Sequence, residues 1–276
     1  MKQHRARKRF GQNFLHDQAV IAQIIAAIHP QADQHIVEIG PGKGALSKPL
    51  LEALQLLNEK GFATHGLDVV ELDRDLPALL RESCNGFNDD LRIHLADALK
   101  FNFCDLVKNN ERLRVTGNLP YNISTPLIFH LLQQLDCIQD MHFMLQKEVV
   151  ERLSAAPGSS AYGRLSVMVQ YRCQVENLFT VYPGSFIPAP KVDSAIVRLT
   201  PYTKPPVQVH DEKKLALLVT QAFSQRRKTI RNTLKTLLSA EQIISIDIDP
   251  GLRAEKLTLE QFAKLSNLLP DEEQTS

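Results

Sequence analysis

A chain of 276 residues, 43% of them hydrophobic, can bury the core of one large domain and a smaller one. Its 32 lysines and arginines against 31 acids leave a net charge of +1, which by itself argues nothing about a polyanionic partner. No apolar run is long enough to span a membrane, and the basic N-terminus is not followed by a signal-peptide core, so a cytoplasmic protein without a membrane segment is expected. Cys84, Cys104, Cys137 and Cys173 are scattered without a Cys-x-x-Cys pair, which argues against a disulfide framework and a zinc site and for a reduced compartment.

The chain begins with a basic arm, Lys2, Arg5, Arg7, Lys8 and Arg9, with no acid before Asp17. Phe10–Leu15 follows, too rich in aromatic and amide side chains for a simple linker. Asp17 can cap a helix whose apolar positions Val20, Ile21, Ile24, Ile25 and Ile28 recur at helical spacing, and Pro30 ends it. Ile36–Ile39 reads as a buried strand, with Glu38 just ahead of the glycines. It runs into Gly40-Pro-Gly-Lys-Gly44 and a helical stretch through Leu57. Strand, glycine turn and helix place backbone against a nucleotide-like ligand at the carboxyl edge of a parallel sheet. A glycine turn alone is weak evidence, but Gly-x-Gly-x-Gly is tighter than the dinucleotide fingerprint and better fits S-adenosylmethionine.

A second strand over Gly66–Leu72 ends at Glu71, whose carboxylate can accept both hydroxyls of a ribose. Glu71 lies further from the glycines than the usual roughly 20 residues, because Glu59–Thr64 reads as an inserted loop. Asp68 and Asp73 are rivals for the same role. Leu91–Leu95 makes a third strand ending at Asp97, which suits either an adenine amino group or an ordinary helix cap. A fourth apolar strand (Leu113, Val115) breaks at Gly117 and delivers Asn118-Leu-Pro-Tyr121. Pro120 stiffens this segment. The Asn118 amide oxygen and the Leu119 carbonyl can accept the two hydrogens of an exocyclic amine, and Tyr121 offers a flat face for its ring. Ser124 and Pro126 then start an amphipathic helix to Leu135, followed by a strand at Met141–Leu145 and a helix at Lys147–Leu153.

Leu178–Leu199 is strand-like around Phe186, which sits in a proline-stiffened loop and either packs on the core or faces a site. Pro201, Pro205 and Pro206 mark a linker, so residues 1–200 are expected to form one domain and 207–276 a small helical one. In the latter, Arg226, Arg227, Lys228, Arg231 and Lys235 form a second basic cluster, with no acid between Glu212 and Glu241. The spacing predicts that this cluster starts a helix with Ile230, Leu234 and Leu237 facing inward. Two acid-free clusters in a neutral chain point to a polyanionic partner.

Seven motifs occur together and in order: Phe-Gly-Gln-Asn-Phe-Leu, Glu-Ile-Gly-Pro-Gly-x-Gly, Glu-Leu-Asp-Arg-Asp, Asn-Leu-Pro-Tyr-Asn-Ile-Ser, Phe-Met-Leu-Gln-Lys-Glu-Val, Pro-Lys-Val-Asp-Ser and Arg-Arg-Lys-Thr-Ile-Arg-Asn. In this the chain resembles the bacterial small-subunit ribosomal RNA adenine dimethyltransferases over nearly its whole length. The resemblance implies an α/β, Rossmann-like S-adenosylmethionine-dependent methyltransferase sheet of seven strands with a helical C-terminal domain that binds RNA. It implies methylation at N6 of two adjacent adenosines near the 3′ end of 16S ribosomal RNA in an immature small subunit, by a monomer without a metal. By motif position, Asn13 and Leu15 would contact the methionine end of the cofactor, with Gly40 beneath it and Gly42 in the same turn. Glu71 would hold the ribose, Asp97 the cofactor adenine, and Asn118 both cofactor and target amine. Leu119 and Pro120 shape the catalytic turn, and Tyr121 and Phe186 would sandwich the target base. Arg5, Arg7, Lys8, Arg226, Arg227, Lys228 and Arg231 would meet the RNA.

Three other readings share parts of this pattern. A 23S ribosomal RNA methyltransferase of the antibiotic-resistance type shares the sheet and the Asn-x-Pro-Tyr logic, but the Arg226–Asn232 run favours the small-subunit enzyme. A ribosome-assembly factor acting only by binding fits poorly with an intact Gly40–Gly44 and Asn118–Tyr121. A nicotinamide dehydrogenase has the wrong glycine spacing.

Overall fold

The computed structural model describes residues 13–108 and 111–270; the basic arm, with Arg5, Arg7 and Lys8, lies outside the described residues. After a short strand, β1 (Phe14–Leu15), Asp17 caps α1 (Gln18–Ile28) by accepting from the backbone N–H groups of Ala19 and Val20. The helix buries Ile21, Ile24 and Ile28, the three-and-four spacing of one apolar face. Strands and helices then follow in the order β2 (His35–Ile39), α2 (Ser47–Glu59), β3 (Leu67–Glu71), α3 (Leu76–Ser83), β4 (Leu91–Leu95), β5 (Leu113–Asn118), α4 (Ser124–Leu131) and β6 (Ile138–Gln146). Next come α5 (Lys147–Leu153), α6 (Arg164–Arg172), β7 (Cys173–Val181), β8 (Phe186–Ile187) and β9 (Ser194–Pro201).

Seven of these strands form one sheet in the order β4-β3-β2-β5-β6-β9-β7, while β1 and β8 pair separately and antiparallel. Neighbours from β4 through β6 are parallel, and β9 returns antiparallel beside β6. Every residue of β2 and β3 is buried, as parallel strands covered on both faces require. Chain order reverses between β2 and β5, and a crevice at the carboxyl ends of the strands opens at such a switch point. Gly117 does not break β5, contrary to the sequence reading: the strand continues through it to Asn118. A Cβ at Gly117 would lie 2.4 Å from the Ile39 carbonyl oxygen, so glycine is what lets β5 run this close to β2.

The chain divides into two compact units. One runs to Val150 and includes Glu176–Pro201; the other comprises Glu151–Val175 and the chain from Tyr202. One unit ends at Pro201, near the prolines expected to mark a linker, and 151–175, expected in the first domain, falls in the second unit. There Tyr162 and Val167 pack with Leu215 and Leu218 of α7 (Glu212–Ala222), and with Ile230 and Phe262. These last two belong to α8 (Ile230–Thr233) and α10 (Leu259–Asn267); α9 (Ala240–Ile244) lies between. A helical tail of that length has little core of its own, and borrowing α6 enlarges it. The basic cluster also differs from expectation: Arg226, Arg227 and Lys228 occupy turns before α8 rather than its first turn. They and Arg231 are exposed, but the Arg226 guanidinium donates to the Ser160 carbonyl at 2.7 Å and lies 3.9 Å from Glu255. An acid remote in sequence therefore enters a cluster that is acid-free along the chain.

The cysteine reading is corrected as well. Cys104 and Cys137 form a disulfide, with Cα atoms 5.4 Å apart, between the single-turn segments Phe103–Leu106 and Leu135–Cys137. Gln134 aligns the two segments by accepting from the Phe103 N–H at 2.7 Å and donating to the Phe101 carbonyl. Tertiary packing, invisible in the spacing, makes the pair. Cys84 and Cys173 are buried and free. Among the described residues, no helix is long and apolar enough to cross a membrane, and no cluster of His, Cys, Asp and Glu could hold a metal ion.

Candidate active site

A cleft of about 630 Å³ opens at the carboxyl ends of β2, β3, β4 and β5, where the sequence reading placed its ligand. Its wall includes Asn13, Leu15, Gly40, Gly42, Glu71 and Asp97, which the sequence singled out for a cofactor, together with Asn118–Tyr121. Gly40 follows β2 with φ +67°, a conformation that favours glycine, and nothing lies within 4 Å of where its Cβ would stand. The turn thus leaves open space above its backbone. The fit to a nucleoside-bearing ligand rests on that space and on the carboxylates beside it.

Three acids in and just after β3 have different environments and different uses. Glu71, at the end of β3, is buried; one oxygen accepts from the Asp73 N–H at 2.8 Å and the other faces the Gly42 N–H at 3.4 Å. Burial raises its pKa, and the backbone donors pull the other way. Asp68, the first rival, lines no part of the cleft and is fully engaged elsewhere. Its carboxylate accepts from His35 Nε2, His94 Nε2 and Arg92 Nη2, each at 2.6 Å, and these partners hold its pKa far below the usual range against the opposing effect of burial. Asp73, the second, shapes the turn into α3: its carbonyl accepts from the Leu76 N–H and its side chain from the Asp75 N–H. Side-chain alternation explains the sorting, since Asp68 and Glu71 lie three apart on β3 and so point to opposite faces.

Glu38 was visible in the sequence only as a charge inside an apolar strand. It lies under the glycine turn, 2% exposed, and its Oε2 accepts from the Ser47 hydroxyl at 2.5 Å. Burial, partly offset by Ser47 and reinforced by the nearby Glu71 charge, raises its pKa from 4.5 to about 7. The cleft therefore has a carboxyl at its base that ionises near neutrality.

The Asn118–Tyr121 segment is held at each residue. The Asn118 side-chain N–H donates to the Asn13 carbonyl at 3.1 Å, which leaves its amide oxygen as an acceptor at the cleft. The Leu119 N–H donates to the Met144 carbonyl on β6 and the side chain is buried, so the peptide that carries the Leu119 carbonyl is fixed. Ser124, expected as a helix cap, instead donates its hydroxyl to the Tyr121 carbonyl at 3.2 Å. The Tyr121 hydroxyl lies 2.8 Å from that of Ser194. Burial pushes the phenol's pKa up, and the bond to Ser194 pulls it back. Lys43, in the glycine turn, stands 4.6 Å above the Phe14 ring, which also lines the cleft. Asp97 uses one carboxylate oxygen to accept from the Leu99 N–H, the turn-cap role weighed for it, and still lines the cleft.

Phe186 is the exception. It pairs with Leu15 across β1 and β8, is 3% exposed and belongs to the core of the first unit. It therefore does not present a second ring to the cleft. Successive residues on a strand face opposite ways, so Ile187, 63% exposed, lines the cleft in its place.

Solved structures identify the class. The fold is similar to that of a dimethyladenosine transferase from Plasmodium falciparum, at TM-score 0.73 and 26% identity over 91% of this chain and 95% of that one. It is also similar to the 23S rRNA methyltransferase ErmE, at TM-score 0.70 and 24% identity over 93% and 99%, a likeness of fold alone. The topology and the furnished cleft make this an S-adenosylmethionine-dependent methyltransferase. A ribosomal RNA small subunit methyltransferase A of Pseudomonas aeruginosa is 58% identical over 98% of this chain and 96% of its own length; one of Saccharophagus degradans is 57% identical over 98% and 96%. With residues 3–271 matching its pattern, the chain belongs to the ribosomal RNA adenine dimethylase family.

Two outcomes follow from the carboxylates. Glu71→Ala should weaken S-adenosylmethionine binding in calorimetry by about tenfold or more, since charge-assisted hydrogen bonds are the stronger kind. Asp68→Ala should lower the melting temperature and leave that affinity near wild type; a reversed pattern would refute the assignment. For Glu38, the folded protein keeps a proton up to about pH 7 that the unfolded chain releases near 4.5. Its stabilising contribution is complete below pH 4.5 and lost as pH rises to 7. Glu38→Gln should therefore gain stability relative to wild type between pH 4.5 and 8, by on the order of a few kcal/mol in urea unfolding of the ligand-free protein. Parallel pH curves would show that Glu38 is ionised throughout.

Proposed function

We propose that this chain dimethylates N6 of two adjacent adenosines in a hairpin near the 3′ end of 16S ribosomal RNA, in an immature small ribosomal subunit. The observation that carries the chemistry is the locked Asn118–Leu119 pair, which sets an amide oxygen and a main-chain carbonyl at the cleft. Together they accept both hydrogens of an adenine amine, which keeps the nitrogen lone pair from delocalising into the ring. The small-subunit substrate is supported by the two relatives above, both named for the small subunit and aligned over nearly their full length. Such a substrate places the enzyme in the cytoplasm, where it would act as a monomer.

S-adenosylmethionine supplies an electrophilic methyl group on a sulfonium centre. In this reading Glu71 holds its ribose hydroxyls, Asp97 its adenine amine, and Asn13, Leu15, Gly40 and Gly42 its methionine end. The target base must leave its stack at a cost of a few kcal/mol, and stacking on the Tyr121 face returns roughly 1–3 kcal/mol. With Phe186 in the core, the remainder falls to the amine hydrogen bonds and to phosphate contacts. No side chain needs to act as a strong base: orientation and polarisation of the amine carry the rate. Each transfer would form one N–C bond from the nitrogen lone pair as the methyl–sulfur bond breaks; the sulfur keeps that electron pair and leaves as a neutral thioether, and one amine proton departs to solvent.

Asn118→Ala should reduce methyl transfer to immature small subunits by on the order of 100-fold, the usual scale for a lost group that stabilises the transition state. Subunit binding should remain near wild type, because phosphate contacts elsewhere dominate affinity. Wild-type turnover by this variant would eliminate the amine-holding role. The exposed Arg227, Lys228 and Arg231 are assigned to RNA phosphates. Replacing all three by alanine should weaken subunit binding and flatten its salt dependence without changing affinity for S-adenosylmethionine. An unchanged salt slope would return the cluster to an ordinary solvated surface.

A further inference from the structure

A base stacked on the Tyr121 face is held at a fixed angle only if the ring itself is held. An aromatic ring on a short turn after a strand has two free side-chain torsions. The structure restrains both ends of this residue. Its carbonyl accepts from the Ser124 hydroxyl at 3.2 Å, and its phenol hydroxyl meets the Ser194 hydroxyl at 2.8 Å. Ser194 is 1% exposed and is the first residue of β9, where it pairs in register with Gln146 on β6. The Lys147 N–H donates to the Asp193 carbonyl at 2.9 Å, which fixes the backbone just before Ser194. The hydroxyl that holds the ring is therefore itself attached to the sheet at two neighbouring points. Packing alone does not require it: an alanine would fill most of the same buried volume.

We propose that Ser194 is a positioning residue for methyl transfer, setting through the Tyr121 hydroxyl the tilt at which the target adenine is held against Asn118 and Leu119. It touches neither substrate nor cofactor and acts only through the tyrosine. This rests on the reading of Tyr121 as the base platform. It also explains why the Pro-Lys-Val-Asp-Ser motif, some 70 residues away in sequence, accompanies Asn-Leu-Pro-Tyr: the two motifs meet at one hydrogen bond, across a separation of 73 residues.

Two measurements test the tether at different levels. In full-length protein labelled with ¹³C at the tyrosine ring carbon bearing the hydroxyl, five resonances are expected, one per tyrosine. Ser194→Ala should move one of them, the same one that Tyr121→Phe removes, and Ser194→Thr should restore its position. An unmoved resonance overturns the tether. In methyl transfer to small-subunit RNA, Ser194→Ala should lower kcat about tenfold, equivalent to about 1.4 kcal/mol, with the Kd for S-adenosylmethionine unchanged and KM for RNA little altered. Ser194→Thr should recover most of the rate. Ser194→Ala combined with Tyr121→Phe should cost no more than either change alone, because both remove the same bond. Wild-type kcat, or losses that multiply in the double variant, would overturn the positioning role. A wild-type chain that transfers no methyl group to this RNA while the resonance moves as expected would instead overturn the function reading on which that role rests.

Discussion

The closeness of β5 to β2 is the constraint on which the cleft depends. With no side chain on Gly117, the last residues of β5 lie directly against Ile39, and the glycine turn and Asn118 come out of the sheet side by side. A single added carbon at that position would push against a backbone carbonyl that cannot retreat, since β2 is paired on its other edge with β3. Parallel pairing then brings the carboxyl ends of β2, β3, β4 and β5 to one edge. The cleft-lining groups of four separate segments therefore converge in the turns that follow these strands.

On that scaffold the same chemical group serves three purposes according to its surroundings. Asp68, surrounded by two histidines and an arginine, is a structural anion between β2, β3 and β4. Glu71 meets backbone N–H groups on one side and open cleft on the other, which suits a group that must accept hydroxyls. Glu38, which accepts from the Ser47 hydroxyl, has its pKa raised to about 7 by burial. A buried carboxyl in that state costs less to keep beneath an apolar turn than a permanent charge.

The catalytic turn illustrates a different principle. Its polar atoms are divided between those that fix the chain and those that stay available. The Asn118 amide N–H, the Leu119 N–H, the Tyr121 carbonyl and the Tyr121 hydroxyl are all engaged. The Asn118 amide oxygen and the Leu119 carbonyl are the two atoms proposed to face an amine. Preorganisation of this kind avoids reorientation when the substrate arrives, which is where positioning gains its catalytic effect.

Much of this was legible along the chain. Apolar runs ending in glycine, acid or asparagine located the strands and the edge they share, because strand periodicity and turn chemistry are local properties. The order of the motifs identified the family, and Glu71, Asp68 and Asp73 could be named as rival acids in and just after one strand before any fold was known. What tertiary structure alone decided depends on which residues meet. Phe186 turned inward because pairing of β1 with β8 sets it against Leu15, a register no local pattern reveals. Helix α6 joined the second unit because α7 and α10 needed its apolar face. The Cys104–Cys137 pair, the Glu255 carboxylate beside Arg226 and the Ser194 hydroxyl on Tyr121 each join segments that lie far apart in sequence. The sequence by itself determined the elements, the family and the groups that could do the chemistry. Contact between distant segments decided which of those groups face the cleft, because burial and partnership are properties of the packed chain and not of any stretch within it.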